Sequence, residues 1–347
     1  MHIPARHIPQ LVIALFLVIL TGMALLIEMP LSSIINDALI RLVMNGMLVL
    51  SLVPMLNGGI GINFGLPVAI VPGLLGLCLA LNFQLTGWPG FAAAVAMAVV
   101  VAVFVGMGYG RILNRVRGRE EITGTFIGFA FLPLTNFFWA TAPFSNPAML
   151  WPIGGKGMRP TIGLKSSFAK ILNSWLSLEI GPFVIPCGAL LFLGSCCLVV
   201  HFFFKTTPGK AILAVGENED YARLCGVDVD KYRVLATVMS TVLGAIGICV
   251  YAQSYGFIEL YDAPMMMAFP AASAILIGGG SIGRATAPQV VVGTFLFHTI
   301  YVISGPLAND LFVPELTEIF RMTMTTGIIL LAMLHRGGMN GRSDAAY

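Results

Sequence analysis

Charge is what this 347-residue chain has least of: Asp, Glu, Lys and Arg together make up 10% of it. With 57% apolar residues there is too little polar surface to cover a soluble core, which excludes an ordinary water-soluble globule. Alternating strands of about ten residues are missing, and long unbroken apolar runs stand in their place, which excludes a membrane β-barrel. The six cysteines (Cys78, Cys187, Cys196, Cys197, Cys225, Cys249) show no metal-ligand spacing and no disulfide framework. Five lie in or beside apolar runs as small apolar fillers, and Cys225 lies in a polar loop. The five histidines are scattered, with no pair at helical spacing to suggest haem or zinc. His298 sits inside an apolar run and reads either as a packed helix histidine or as a pathway residue. No GxxxxGK[ST] motif is present, so the chain does not bind ATP in that manner.

What is present is a series of apolar runs of about 20 residues, each long enough to cross a hydrocarbon core as a helix. The pattern predicts an all-α, polytopic transmembrane protein with about ten spans, at 9–27, 39–57, 62–84, 89–109, 122–141, 180–204, 234–253, 265–280, 286–304 and 318–335. The first run reads as a retained signal anchor. Glycines mark the junctions 58–65 and 278–283, where a broken helix or re-entrant turn is expected. Lys and Arg divide by side. Thirteen fall in segments that would be inside and four (Lys156, Arg159, Lys165, Lys170) in one outer loop, with Arg41 and Arg321 near outer helix ends. This sidedness places both termini in the cytoplasm, which requires an even number of spans. No Asp, Glu or Lys lies well inside a predicted span, which argues against a proton-coupled pump but leaves a carrier using backbone carbonyls open.

Two connections are long. The exterior loop 142–179 is expected either to pack on the helix ends, to form an interfacial helix over 164–176, or to cover a portal. The polar segment 205–233 is expected on the cytoplasmic face. Within it Pro208 and Gly209 predict a turn, 210–215 a short amphipathic stretch broken by Gly216, and 218–225 a two-turn helix. Glu217, Glu219 and Asp220 favour the start of that helix and Gly226 its stop. A helix this short is marginal in water, so it must pack either on the rest of the chain or on a separate protein, with Tyr221 and Leu224 as apolar contacts.

Three blocks, in order, carry a family resemblance: GGIGINFG (58–65), TTPGKAILAVGENEDYARLCGVDVDKYR (206–233) and AASAILIGGGSIGRATAPQVVVGTFL (271–296). The chain resembles the integral-membrane permease subunits of bacterial ABC importers, in the ribose, galactose and branched-chain amino acid permease class, and most closely the sugar branch. It departs from that pattern at Gly61, where an acidic residue is usual, at Asn63 and Cys225, where Ser is usual, and at Tyr221, where a small residue is commoner. The resemblance implies a single transmembrane permease domain over 1–347 in the bacterial cytoplasmic (inner) membrane. It has no catalytic residue, metal or cofactor of its own, since ATP and Mg would be held by partner ATP-binding subunits. Further implied partners are a second permease subunit, identical or homologous, an exterior substrate-binding protein and the lipid bilayer, with no nucleic acid. The coupling contacts would be Gly216, Glu217, Glu219, Asp220, Tyr221, Arg223, Leu224 and Gly226. Candidate pathway residues for a neutral sugar or sugar-like solute are Asn57, Asn63, Phe64, Gly65, Ser273, Ser281 and Thr286. Asn57 and Asn63 read equally well as helix-capping or packing residues. The alternatives are a stand-alone secondary carrier for a neutral solute and, with no clustered polar groups to support it, a membrane-embedded enzyme.

Overall fold

The computed structural model describes residues 8–26, 28–151, 157–311 and 327. The chain opens with α1 (Ile8–Leu26), α2 (Leu31–Leu50), α3 (Val53–Asn57), α4 (Pro67–Asn82), α5 (Gly87–Arg115) and α6 (Glu120–Thr141). A long loop follows with β1 (Thr161–Gly163), α7 (Ile171–Ser174), β2 (Ser177–Ile180) and β3 (Phe183–Pro186). The second half holds α8 (Cys187–Phe203), α9 (Thr207–Glu217), α10 (Glu219–Leu224), α11 (Val229–Tyr255), β4 (Phe257–Glu259), α12 (Ala263–Met266), α13 (Ala268–Ile277) and α14 (Ala287–Leu311).

The expectation of ten spans is corrected. Among the described residues five helices are long and apolar enough to cross a membrane: Leu31–Asn57, Gly87–Arg115, Glu120–Thr141, Val229–Tyr255 and Ala287–Leu307. A sixth counts if α8 and α9, bent by 76° at their junction, form one broken span. The runs at 62–84 and 265–280 become shorter helices, Pro67–Asn82 and Ala263–Ile277, and the run at 9–27 forms α1 (Ile8–Leu26). The run at 318–335 lies outside the described residues, Gly327 apart. The physical reason is that hydropathy counts apolar residues whether or not they are helical: turns take up part of these runs, and the 16 residues of α4 reach about 24 Å, short of a hydrocarbon core of about 30 Å. Thirteen of the sixteen residues of α4 are buried by protein, so its apolarity serves the interior rather than lipid. The expected cytoplasmic placement of both termini concerns residues outside the described ones. The fold is also mostly rather than purely helical.

α5, α4 and α11 form the centre. The buried face of α5 runs through Ala94, Ala98, Ala102, Gly106 and Gly110, four residues apart, a small-residue stripe that lets helix backbones approach. At Gly106 an added Cβ would stand 3.0 Å from the Val238 backbone and the Thr241 hydroxyl of α11. Outward faces are bulky and apolar instead, as at Phe126, Leu134 and Phe137 on α6 and Leu198, Val199 and Phe202 on α8, where lipid is the natural solvent.

The four short strands lie away from this bundle. β1 pairs antiparallel with β4, and β2 with β3. Of the expected interfacial helix over 164–176 only α7 forms. The loop packs on the helix ends, with Met149, Met158, Ile162, Leu164, Phe168 and Leu172 joining the main core. The Leu164 N–H donates to the Gly256 carbonyl at 2.9 Å and the Gly87 N–H to the Ser167 carbonyl at 3.0 Å. These contacts define one end of the molecule, the loop end. The opposite, basic end gathers the α3–α4 junction, the α5–α6 turn, α9, α10 and the start of α11.

Candidate functional site

At the basic end, Thr206 caps α9 by accepting from the Gly209 N–H at 3.4 Å, and Pro208 occupies its first turn. The expected turn at 208–209 is therefore helical, and α9 runs through Gly216 to Glu217 rather than breaking there. Gly216 is needed as glycine because α9 lies directly on the α3–α4 junction, where a Cβ would collide with the Asn57 carbonyl oxygen and stand 2.9 Å from Gly59 N. Asn218 then caps α10, its Oδ1 accepting from the Tyr221 N–H at 2.9 Å. Gly226 takes the left-handed conformation (φ +81°) that ends it. The helix predicted over 218–225 is observed as Glu219–Leu224.

Two things hold this short helix. Ala222 is buried against Val215 and Val229. Glu219 is ion-paired to both Arg117 and Arg233. Arg233, only 2% exposed, also pairs with Glu120, and its Nε donates to Asn114 Oδ1 at 3.1 Å. Arg117 reaches Asp230, whose backbone carbonyl accepts from Asn114 Nδ2 at 2.9 Å. One buried guanidinium thus ties α10, the α5–α6 turn and the start of α11 together. With Ala222 and Glu219 turned inward, the outer face of α10 carries Tyr221 at 66% and Leu224 at 87% exposure. Glu217, Asp220, Arg223 and Gly226 are exposed beside them. The sequence showed Arg117 and Arg233 only among the inner basic residues, and Glu120 and Asn114 not at all. Their meeting spans more than a hundred residues of chain, so no local signal announces it.

The seven candidate pathway residues separate into two groups. Asn57 is 3% exposed and clamps the late hairpin: its Nδ2 donates to the Ala285 carbonyl at 2.9 Å and its Oδ1 accepts from the Ala285 N–H at 2.7 Å. Ser281 and Thr286 belong to that hairpin. Ser281 bridges Arg284 through its backbone, and Thr286 caps α14 through Gln289. The second group lies deeper. Asn63 Oδ1 accepts from the Tyr109 hydroxyl at 3.0 Å, and Asn63 Nδ2 donates to Ser240 Oγ at 3.3 Å. Gly65 lets the Tyr109 hydroxyl approach its backbone, and the Phe64 ring lies 5.5 Å from that of Phe269. Ser273, one turn on from Phe269, donates back to the Phe269 carbonyl at 2.7 Å. Tyr109 and Ser240 are the partners that sequence reasoning missed here.

At the loop end a cavity of about 460 Å³ opens between α2, α7, β2–β3 and the end of α11. α2 begins at Leu31, eight residues before the predicted span, so Arg41 lies ten residues, about 15 Å, into the helix and lines this cavity. Asp37 and Lys170 line it too, with Tyr251, Asn173 and Ser174. The sequence had placed Arg41 near a helix end.

The family described as branched-chain amino acid transport system / permease component matches residues 8–333. The chain is 27% identical over 181 residues to a tyrosine transport system permease protein of Clostridioides difficile, covering 50% of this chain and 55% of that one. It is 22% identical over 235 residues to a nucleoside ABC transporter permease protein of Lactococcus lactis, covering 64% and 61%. It is 27% identical over 233 residues to an autoinducer 2 import system permease protein of Yersinia enterocolitica, covering 66% and 60%. The chain therefore spans between about half and three-fifths of the length of these relatives. No solved structure matches it.

Proposed function

The chain belongs to the branched-chain amino acid transport system permease component family, and from that membership we propose that it forms the membrane pathway for a sugar or sugar-like solute. It is a multi-pass membrane component of an ABC-type importer, and the chain itself is not an enzyme. On this reading ATP-binding subunits, carrying ATP and Mg, dock on the basic end. A second permease subunit completes the pathway, and an exterior binding protein delivers solute at the loop end. The excess of Lys and Arg at the basic end supports placing it in the cytoplasm.

One observation carries the proposal: α10 is anchored by Glu219 and Ala222 yet presents Tyr221 and Leu224 to solvent. A six-residue helix with an 87% exposed leucine at its end is a poor terminus for a self-contained fold and a good plug for a groove in a partner. Nucleotide-driven movement of that partner would reach the bundle through α10, the Arg233 ion pairs and α11. A stand-alone carrier gives no role to this display. The sugar preference is supported by the three sequence blocks, and the relatives' named cargoes (a nucleoside, autoinducer 2 and tyrosine) show how far cargo varies in the family.

Tyr221→Ala and Leu224→Asp test the docking role through co-purification of the ATP-binding subunit and solute-stimulated ATPase. Both variants are expected to keep the chain in the membrane and to weaken assembly about tenfold or more. Wild-type assembly and ATPase in both would sink the proposal.

A further inference from the structure

We propose that the loop-end cavity is a solute subsite that takes the carboxylate of a small hydroxylated acid, a sugar acid rather than a neutral sugar. The inference rests on the importer reading for the direction of transport, but not for the chemistry of the site.

The argument begins with Arg41. Arg41 lies ten residues along α2, partly exposed on the cavity wall among residues of the loop end, where its guanidinium is open to a ligand. Its guanidinium carbon lies 4.9 Å from the centre of the Tyr301 ring. Among the described residues every ion pair involves Arg117 or Arg233 at the basic end, so Arg41 has none. Asp37, one turn away on the same helix face, lines the cavity without pairing to it. Lys170 adds a second cation at the rim. Its left-handed backbone (φ 54°) is held by its N–H donating to the Gln253 carbonyl at 2.7 Å. The lining itself thus carries two cations and one carboxylate, while Glu259, close enough to act on Tyr251, stands outside the lining.

The rest of the wall is built for hydroxyls. Ser254 Oγ donates to Asn173 Oδ1 at 2.8 Å, and Gln253 Nε2 donates to the same oxygen at 3.1 Å. The cavity also borders Ser174 and the Tyr251 phenol. A volume of about 460 Å³ suits a molecule of monosaccharide size. A planar guanidinium is matched by a carboxylate through two parallel hydrogen bonds, which a neutral hydroxyl cannot offer. Polar positions continue inward on one face of α14. Tyr301 is followed toward the basic end by His298 and then Thr294, whose buried ring nitrogens and hydroxyl have no hydrogen-bond partner. Buried polar atoms without protein partners call for water, and these lie deeper than the cavity's own lining.

The test is titration of the full-length chain, in lipid nanodiscs with any subunits that accompany it, by D-galacturonate, D-galactose and L-tyrosine. Galacturonate is expected to bind at least about tenfold more tightly than galactose, and Arg41→Gln to lose about tenfold or more of that affinity. Lys170→Ala, at the exposed rim, is expected to weaken galacturonate binding without touching the helix bundle. Equal binding of acid and neutral sugar overturns the proposal, as does unchanged affinity in both variants, tighter binding of the amino acid, or no binding by any probe. The readout does not involve nucleotide or the α10 surface. Failure here therefore leaves the coupling reading standing, and failure of ATP-binding subunits to co-purify leaves this one standing.

Discussion

Replacing Arg233 by Met should release α10 from the bundle. The guanidinium is 2% exposed and satisfies Glu120, at 10% side-chain exposure, and Glu219, at 31%. Removing one member of a fully buried ion pair costs about 3–5 kcal/mol, because the remaining charge keeps its desolvation without its partner. That value is an upper bound here. Glu219 retains Arg117 and is nearly one-third exposed, so solvent screens part of the loss. About 2 kcal/mol is the reasonable share for the local attachment of α10, equivalent to a roughly 30-fold rise in its opening equilibrium. Amide hydrogen exchange reads this directly. The Tyr221 and Ala222 amides donate to Asn218, so their exchange should accelerate by about that factor while α4 amides stay protected. Adding Glu120→Gln to Arg233→Met should recover part of the loss, because the orphaned charge is removed. Unchanged exchange at Tyr221 and Ala222 in the single variant would refute the view that Arg233 anchors this helix.

Gly216→Ala is expected to be worse than its one added carbon suggests, since that carbon meets the Asn57 carbonyl and Gly59 N, backbone atoms that cannot move aside. Lifting α9 off the α3–α4 junction should abolish co-purification of ATP-binding subunits while leaving membrane insertion intact. Tyr109→Phe should cost about 1 kcal/mol by freeing Asn63 Oδ1. A fall of a few degrees in Tm of the detergent-purified protein checks it, and no fall would mean that this hydrogen bond contributes nothing to stability.

Much of the helical layout was legible because it depends on composition over windows of about 20 residues and on local capping groups. Glu217, Glu219 and Asp220, with Gly226 following, mark α10 within a residue or two of where it forms. The span count was misread for a physical reason. An apolar run of about 20 residues can hold a helix shorter than itself, as 62–84 holds only Pro67–Asn82. The pathway candidates were chosen as polar groups near glycine junctions. The fold occupies most of their hydrogen-bonding capacity with partners far along the chain: Ala285 for Asn57, and Tyr109 and Ser240 for Asn63.

By itself the sequence determined that this protein lives in a bilayer, that its basic residues collect on one side, and that a short capped helix stands between two apolar runs. These follow from solvation and local geometry, which act on neighbours in the chain. Only the tertiary structure decided that Arg233 reaches Glu120 and Glu219, that Gly216 must lie on Asn57, and that Arg41 faces a cavity rather than a helix end. Those are contacts across sequence separations of up to more than a hundred residues. They are set by how helices pack and not by any pattern along one of them.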